Sequence, residues 1–137
     1  MTPNPAQIEQ LVTEAKAALQ LAYCPYSRFP VGAALLTDRG HIVTGCNVEN
    51  ASFGLTMCAE RNAIARAVAE DAGAPIYLVV VGRTTEPLTP CGACRQVLSE
   101  FNRDLPVLCV AGNGLRAEFS LGDLLPHSFQ GDALTDS

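Results

Sequence analysis

Apolar residues recur at steps of three and four near the start of the chain, with polar positions between them. The repeat runs from Ile8 to Ala22 and is interrupted by residues such as Glu9. This spacing places the apolar side chains on one face and predicts an amphipathic first helix. Proline cannot continue a helix, so Pro25 and Pro30 make the following segment, YCPYSRFP, an ordered loop.

A hairpin and a second helix are predicted after this loop. The first strand is VGAALLT, the turn is DRG at Asp38 to Gly40, and the returning strand is HIVTGCNVE. Alanine-rich sequence from Ala59 to Ala72 then indicates a helix, which we expect to stop at Gly73.

The remaining pattern adds three strands and two helices. IYLVVVG is a continuous apolar run, which is typical of a central strand covered on both faces. CGACRQVLSEF is predicted to be a third helix, VLCVA and RAEFS two further strands, and LGDLLP a short terminal helix.

This order of elements predicts an α/β fold, a three-layer α/β/α sandwich with a mixed five-stranded sheet. A chain of 137 residues with 48% hydrophobic composition suits a single domain spanning residues 1–137. The tail QGDALTDS lacks core-building residues, so we expect flexibility after about residue 130.

Charge and hydropathy exclude several classes of partner. The net charge of -5 does not provide the positive charge that binding a phosphate backbone requires, so nucleic acid is not expected as a partner. No apolar run reaches the roughly 20 residues of a membrane span, and the first residues lack the layout of a signal peptide. We therefore predict a cytoplasmic protein whose six cysteines are reduced thiols.

Cysteines stand at the start of the second and third predicted helices. Cys91 and Cys94 have the C-x-x-C spacing of a zinc clamp, although the same spacing serves redox proteins and buried cysteines are common as small apolar residues. Cys58 begins a helix that should pack beside the third one. Three sulfurs would leave one tetrahedral zinc position open for water, as in catalytic sites.

Charged residues follow the first of these cysteines directly. Glu60 is placed to take a proton from a metal-activated water, although a carboxylate there could also simply favour the helix dipole. Three thiolates outweigh the charge of one zinc ion, so positive charge is needed nearby. Helix N-termini and Arg61 are the favoured sources, with Arg95 as the alternative.

These residues resemble a known family. "CAE" at Cys58 to Glu60 and "PCGAC" at Pro90 to Cys94 resemble the zinc nucleoside deaminase signature, with cysteine where many relatives have histidine. The blocks "YCPYSRFPVGAAL", "NVENASFG", "CAERNAI", "PCGACRQVLSEF" and "LLPHSF" are together similar to the short, homotetrameric type of cytidine deaminase. The similarity runs from about Tyr23 to Phe129.

The resemblance implies a reaction. It implies hydrolysis of cytidine and 2'-deoxycytidine to uridine and 2'-deoxyuridine, with ammonia released, in pyrimidine salvage. One Zn²⁺ per chain would be held by Cys58, Cys91 and Cys94. Glu60 would carry a proton from water to ring N3 and then to the departing amine.

Asn47 and Glu49 are candidates for binding the sugar. They are two positions apart near a predicted strand end and so should share a face. An amide beside a carboxylate can donate to and accept from one hydroxyl, although such pairs also occur as plain exposed strand residues. The resemblance assigns both to the ribose 3'-hydroxyl, which would permit both sugars.

The resemblance implies further substrate contacts. Phe29 would pack against the base, Ala59 would contact the substrate, and Phe129 would reach a neighbouring subunit's site. Any of the phenylalanines could instead be core residues. Phe53 stands where the family commonly has tyrosine, so a hydrogen bond from that hydroxyl would be missing while the stacking surface remains.

Three rival interpretations stay open at this point. A structural zinc module would need a fourth ligand, most plausibly Cys24, Cys46 or Cys109, and would leave Glu60 without a role. A C-x-x-C redox protein would form a reducible disulfide. A deaminase of another aminopyrimidine, such as blasticidin S or cytosine, would share the chemistry, although "NVENAS" favours a nucleoside with a free 3'-hydroxyl.

Overall fold

The computed structural model describes residues 2–135. Within this range the helices are α1 (Pro5–Leu19), α2 (Ala59–Ala69), α3 (Gly92–Phe101), α4 (Leu121–Leu124) and α5 (Asp132–Thr135). The strands are β1 (Val31–Thr37), β2 (Ile42–Cys46), β3 (Pro75–Gly82), β4 (Pro106–Val110) and β5 (Arg116–Ser120). A single 3-10 turn, Phe53–Leu55, precedes α2.

The strands form one mixed sheet in the order β2-β1-β3-β4-β5. Strand β1 is antiparallel to both β2 and β3, whereas β3 and β4 are parallel. Because β2 and β3 both run opposite to β1, their carboxyl ends lie at the same edge of the sheet. The chain leaves that edge to begin α2 and α3, so the sheet topology brings the two helix starts together. The predicted mixed five-stranded sheet is confirmed.

Helices cover both faces of the sheet. Side chains alternate along β1 and β3, so that Leu35 and Leu78 face one way while Leu36 and Val79 face the other. On the first face they pack against residues of α2 and α3: Ala59, Ala63, Ile64, Ala67 and Leu98. On the second face they pack against residues of α1: Leu11, Val12, Ala15 and Leu19. The three-layer arrangement follows the predicted pattern, and β3 is buried on both sides as expected.

Local signals explain where the helices begin and end. Helix α1 starts with a capping box, in which the Asn4 and Gln7 side chains each accept from the other's backbone N–H. Helix α2 ends earlier than the predicted Ala72. Asp71 adopts φ 52° and the Ala72 N–H bonds back to the Ala67 carbonyl, which forms a Schellman closure. Asp71, not Gly73, therefore terminates the helix.

Strand β2 is shorter than predicted. Its ladder stops at Cys46, and Val48 then forms isolated bridges to Tyr23 and Met57. The stop has a local cause, because the Asn47 side chain bonds to the backbone of Phe29 and Val31 at the start of β1 instead of projecting from the sheet. Asn47 and Glu49 consequently lie beyond the strand rather than on one of its faces.

The C-terminal segment adds a feature that no sequence pattern indicates. One helical turn, α5, forms over Asp132–Thr135. The flexibility predicted after about residue 130 stays a prediction, and residues 136–137 lie outside the described range. No helix within residues 2–135 has the length and hydropathy needed to cross a membrane.

Glycines allow two helices to approach the sheet closely. A Cβ on Gly32 would lie 2.0 Å from the Ala15 carbonyl oxygen of α1. A Cβ on Gly45 would lie 2.4 Å from the Ala59 carbonyl oxygen of α2. The second contact matters for function, because it positions the first turn of α2 directly on β2.

Candidate active site

Three cysteines converge at the starts of α2 and α3. Cys58 and Cys91 are the N-cap residues of these helices and have extended backbone conformations. Cys94 lies in the first turn of α3 and is fully buried. An N-cap residue projects its side chain near the free N–H groups of the first turn. Two neighbouring helix starts therefore direct three sulfurs to one point.

The sulfur positions fit a zinc ion. Cys58 Sγ lies 3.8 Å from Cys91 Sγ, which lies 3.4 Å from Cys94 Sγ, and all three sulfurs fall within 4.8 Å of one another. Zn–S bonds of about 2.3 Å at tetrahedral angles place sulfurs about 3.8 Å apart. Within residues 2–135, no fourth cysteine belongs to this cluster. The donor set matches one zinc per chain with a fourth position free.

Arg61 supplies positive charge to this cluster. Its guanidinium donates to Cys58 Sγ at 3.5 Å and to the Thr56 carbonyl at 3.1 Å. Arg95 is engaged elsewhere and bonds to the carbonyls of Pro90 and Leu124 at 2.7 and 2.8 Å. Arg61 thus contacts a sulfur, whereas Arg95 links α4 to the loop that precedes α3.

Hydrogen bonds among the thiols shift their protonation. Bonding to Cys94 is the largest cause that lowers the pKa of Cys58 to about 5, and Arg61 lowers it further. The same bond to Cys58, together with burial, raises the pKa of Cys94. This bonding favours the thiolate form of Cys58, and thiolate is the form that binds zinc.

Glu60 lies beside the cluster in the first turn of α2. It is 5% exposed, and burial is the main cause that raises the pKa of its carboxyl to about 7, to which negative charge on Cys58 adds. An acid whose pKa lies near neutrality is suited to both accepting and returning a proton. Its burial and its place in the cavity wall beside Cys58 suit the carboxyl to a role as a proton shuttle.

A cavity of about 190 Å³ opens onto the cluster. Its lining residues are Val31, Asn47, Thr56, Cys58, Ala59, Glu60, Leu88, Thr89 and Cys91. A wider cavity of about 420 Å³ lies next to it and is lined by Tyr26, Ser27, Glu49, Phe53 and Thr56. Thr56 belongs to both walls, so the two cavities adjoin. A ligand that occupies both would place one end at the sulfurs and Glu60, and the other at Glu49.

Asn47 and Glu49 both hold the loop before β1. The Asn47 amide accepts from the Val31 N–H at 2.8 Å and donates to the Phe29 carbonyl at 2.9 Å. Glu49 Oε1 accepts from the N–H groups of Tyr26 and Ser27 at 3.0 and 3.1 Å. The first side chain lines the smaller cavity and the second lines the wider one.

The other predicted substrate residues divide into two groups. Ala59 lines the smaller cavity, and Phe53 lines the wider one with its ring edge-on to Tyr26, at a centroid distance of 6.0 Å. Phe29 and Phe129 line neither cavity in the part of the chain described, and their side chains are 43% and 60% exposed. The substrate contacts predicted for these two rings therefore stay predictions.

Sequence reasoning overlooked two residues of the site. Thr56 lines both cavities, and its carbonyl orients Arg61. The Ser27 hydroxyl donates to Glu49 Oε2 and accepts from the Phe29 N–H. The position of Thr56 two residues before Cys58 was an available signal, whereas nothing in the pattern around Ser27 indicates its partner.

Known proteins with the same architecture identify the family. Residues 5–109 match the model of the cytidine and deoxycytidylate deaminase zinc-binding region. A cytidine deaminase of Sporosarcina psychrophila is 45% identical over 129 residues, which cover 93% of this chain and 95% of the relative.

Solved structures agree with this match. A crystal structure of cytidine deaminase from Burkholderia pseudomallei has a TM-score of 0.84 and 47% identity, and covers 88% of this chain and 98% of that one. The Mycobacterium tuberculosis cytidine deaminase has a TM-score of 0.77 and 43% identity, with 89% and 96% covered. The chain belongs to the cytidine deaminase family.

Proposed function

We propose that this protein catalyses the zinc-dependent hydrolytic deamination of cytidine and 2'-deoxycytidine to uridine and 2'-deoxyuridine, with release of ammonia. One observation carries the proposal: three cysteine sulfurs lie within 4.8 Å of one another, and two of these cysteines, Cys58 and Cys91, line a cavity together with the buried Glu60. Similarity to proteins named cytidine deaminase supports the choice of substrate.

Glu60 performs the proton transfers in this proposal. A bound zinc ion would supply the Lewis acidity that lowers the pKa of a water molecule to near neutrality. Glu60 accepts a proton from that water and delivers it to ring N3, which makes C4 more electrophilic. The water oxygen would add to C4 as a hydroxyl group. Glu60 would then accept the proton of that hydroxyl and pass it to the amino group, which leaves as ammonia while the C4 carbonyl forms. The residue suits this role because its carboxyl is buried in the cavity wall.

The adjoining cavities suit a nucleoside. The base would occupy the smaller cavity beside Glu60 and Ala59, and the sugar would extend towards Glu49 and Phe53. Hydrogen bonds from Asn47 and Glu49 to the 3'-hydroxyl would explain why both ribose and deoxyribose are accepted. Equal rates on cytidine, cytosine and 3'-deoxycytidine would contradict this assignment and favour another aminopyrimidine substrate.

Substitution of Glu60 by glutamine tests the mechanism. The variant keeps the size of the side chain but cannot carry a proton, so we expect normal folding, one zinc per chain and loss of turnover. General acid–base catalysis contributes about 10²–10⁴-fold, so a loss of at least that size is expected. Zinc content and the decrease of the cytidine absorbance band are measured on protein purified without chelator.

A matched variant controls for the substitution itself. Glu100 is exposed on α3, so Glu100→Gln makes the same chemical change away from the site and should retain full activity. Near-normal turnover by Glu60→Gln would refute the proton-transfer role. Zinc in the wild-type protein without any turnover would instead support a structural zinc site.

Phe129 would complete the site of a neighbouring subunit in an assembly, which we propose is a homotetramer. An apolar groove on α2 and α3 supports contacts between chains, because Val68 and Phe101 are 59% and 44% exposed there. A monomer in sedimentation would contradict the tetramer.

The six unpaired cysteines support a reducing, cytoplasmic location, where the reaction would serve pyrimidine salvage.

A further inference from the structure

Glu49 is nearly saturated by hydrogen bonds from its own chain. An ionised carboxylate offers about four acceptor positions, two on each oxygen. The N–H groups of Tyr26 and Ser27 occupy both positions on Oε1. The Ser27 hydroxyl occupies one position on Oε2. A ligand hydroxyl can therefore be accepted at one remaining position, on Oε2.

The Ser27 hydroxyl links this carboxylate to the next part of the loop. It donates to Glu49 Oε2 and accepts from the Phe29 N–H at 3.1 Å. Asn47 holds the same segment from the other side, because it donates to the Phe29 carbonyl at 2.9 Å. The peptide groups flanking Phe29 are thus fixed by two side chains that face the two cavities.

Without the Ser27 hydroxyl, the remaining bonds leave Oε2 unconstrained. The torsion that orients a glutamate carboxylate is broad and has little intrinsic preference. Both acceptor positions of Oε2 would then be open to water, and the Phe29 N–H would lose its partner. The two N–H bonds hold only Oε1, so the direction in which Oε2 accepts a hydroxyl depends on the Ser27 side chain.

We infer that Ser27 is a positioning residue for sugar recognition, whose hydroxyl leaves Glu49 Oε2 a single acceptor position directed at the 3'-hydroxyl of the nucleoside. This inference rests on the proposed function, which places the sugar against Glu49. It predicts that Ser27 matters for a nucleoside that carries a 3'-hydroxyl and matters little for one that does not.

Binding measurements in the Glu60→Gln background separate this role from catalysis. The dissociation constants of cytidine and 3'-deoxycytidine are measured by calorimetry with and without Ser27→Ala. Without the Ser27 hydroxyl, cytidine should lose the hydrogen bond from its 3'-hydroxyl to Glu49 Oε2. Loss of a hydrogen bond to a charged group should weaken cytidine binding about tenfold. The change for 3'-deoxycytidine should stay below about threefold, because that ligand cannot use the Oε2 position.

Ser52→Ala is the matched control, because Ser52 lies in the neighbouring loop and its side chain makes no capping bond. It should leave both constants unchanged. Equal weakening of both ligands by Ser27→Ala would reduce Ser27 to a general structural role and overturn the inference, as would no weakening of cytidine binding.

The outcome is distinguishable from failure of the proposed function. Wild-type protein that does not deaminate cytidine would refute the function, yet the calorimetric comparison would still decide the role of Ser27. If cytidine does not bind even with Ser27 intact, the inference is overturned as well.

Discussion

Gly45 fixes the distance between β2 and the helix that carries Cys58 and Glu60. A Cβ at this position would lie 2.4 Å from the Ala59 carbonyl oxygen and 2.6 Å from the Ala63 backbone nitrogen. Ordinary contact begins near 3.4 Å, so Gly45→Ala must displace the first turn of α2 by about 1 Å.

Both stability and activity should respond to that displacement. Overpacking of this kind costs about 1–3 kcal/mol, which corresponds to a fall in melting temperature of about 4–12 °C. A displacement of about 1 Å at catalytic groups can reduce turnover about 100-fold. We therefore expect a folded but less stable protein with kcat/KM lowered by about two orders of magnitude.

The assay compares two glycine variants at a temperature where circular dichroism shows both to be folded. Gly32→Ala crowds the backbone of α1, which carries none of the proposed site residues, so it should lower the melting temperature at least as much while retaining most turnover. Parental kcat/KM in Gly45→Ala would refute the positional argument. Equal losses of turnover in both variants would show that general destabilisation, not displacement of α2, is responsible.

Two further predictions concern charge and buried polar groups. Arg61→Gln removes the donor to Cys58 Sγ and should weaken zinc affinity about 10–100-fold in chelator competition, because groups that bond metal ligands typically contribute that much. Arg95→Gln should lower the melting temperature instead, and a larger effect on zinc than Arg61→Gln would contradict the assignment of charge balance. Tyr77→Phe removes a 2.7 Å bond to Glu118 on the α1 side of the sheet and should cost about 1 kcal/mol in denaturant unfolding, with kcat unchanged. A fall in kcat would show that the two faces of the sheet are coupled.

Local patterns sufficed for most of the fold and for the metal-binding residues. The predicted range VGAALLT coincides with β1, and the apolar run from Ile76 indicated β3 to within one residue. Helix starts at Cys58 and Cys91 followed from the spacing of apolar residues and from Pro90. In both cases the information lies within a few consecutive residues, because periodicity and capping act over short distances.

Roles that depend on a bonding partner far away in the sequence could not be assigned from local patterns. The sequence left Arg61 and Arg95 as alternatives, since each follows a cysteine near a helix start. The structure separates them because Arg61 donates to Cys58 Sγ, whereas Arg95 donates to the Pro90 carbonyl and to the Leu124 carbonyl of α4. The predicted strand continuation through Glu49 was wrong, because Asn47 bonds to Val31, 16 positions away.

The sequence by itself determined the order of the elements, the cysteines that begin two helices, and the acid beside them. The tertiary structure alone decided that the carboxyl ends of β2 and β3 share an edge, that the sulfurs meet at 3.4 and 3.8 Å, and that Ser27 orients Glu49. The physical reason is the distance along the chain over which each kind of interaction acts. Periodicity and capping are set by neighbours in the chain, whereas burial, metal geometry and side-chain pairing depend on groups that only the sheet order brings together.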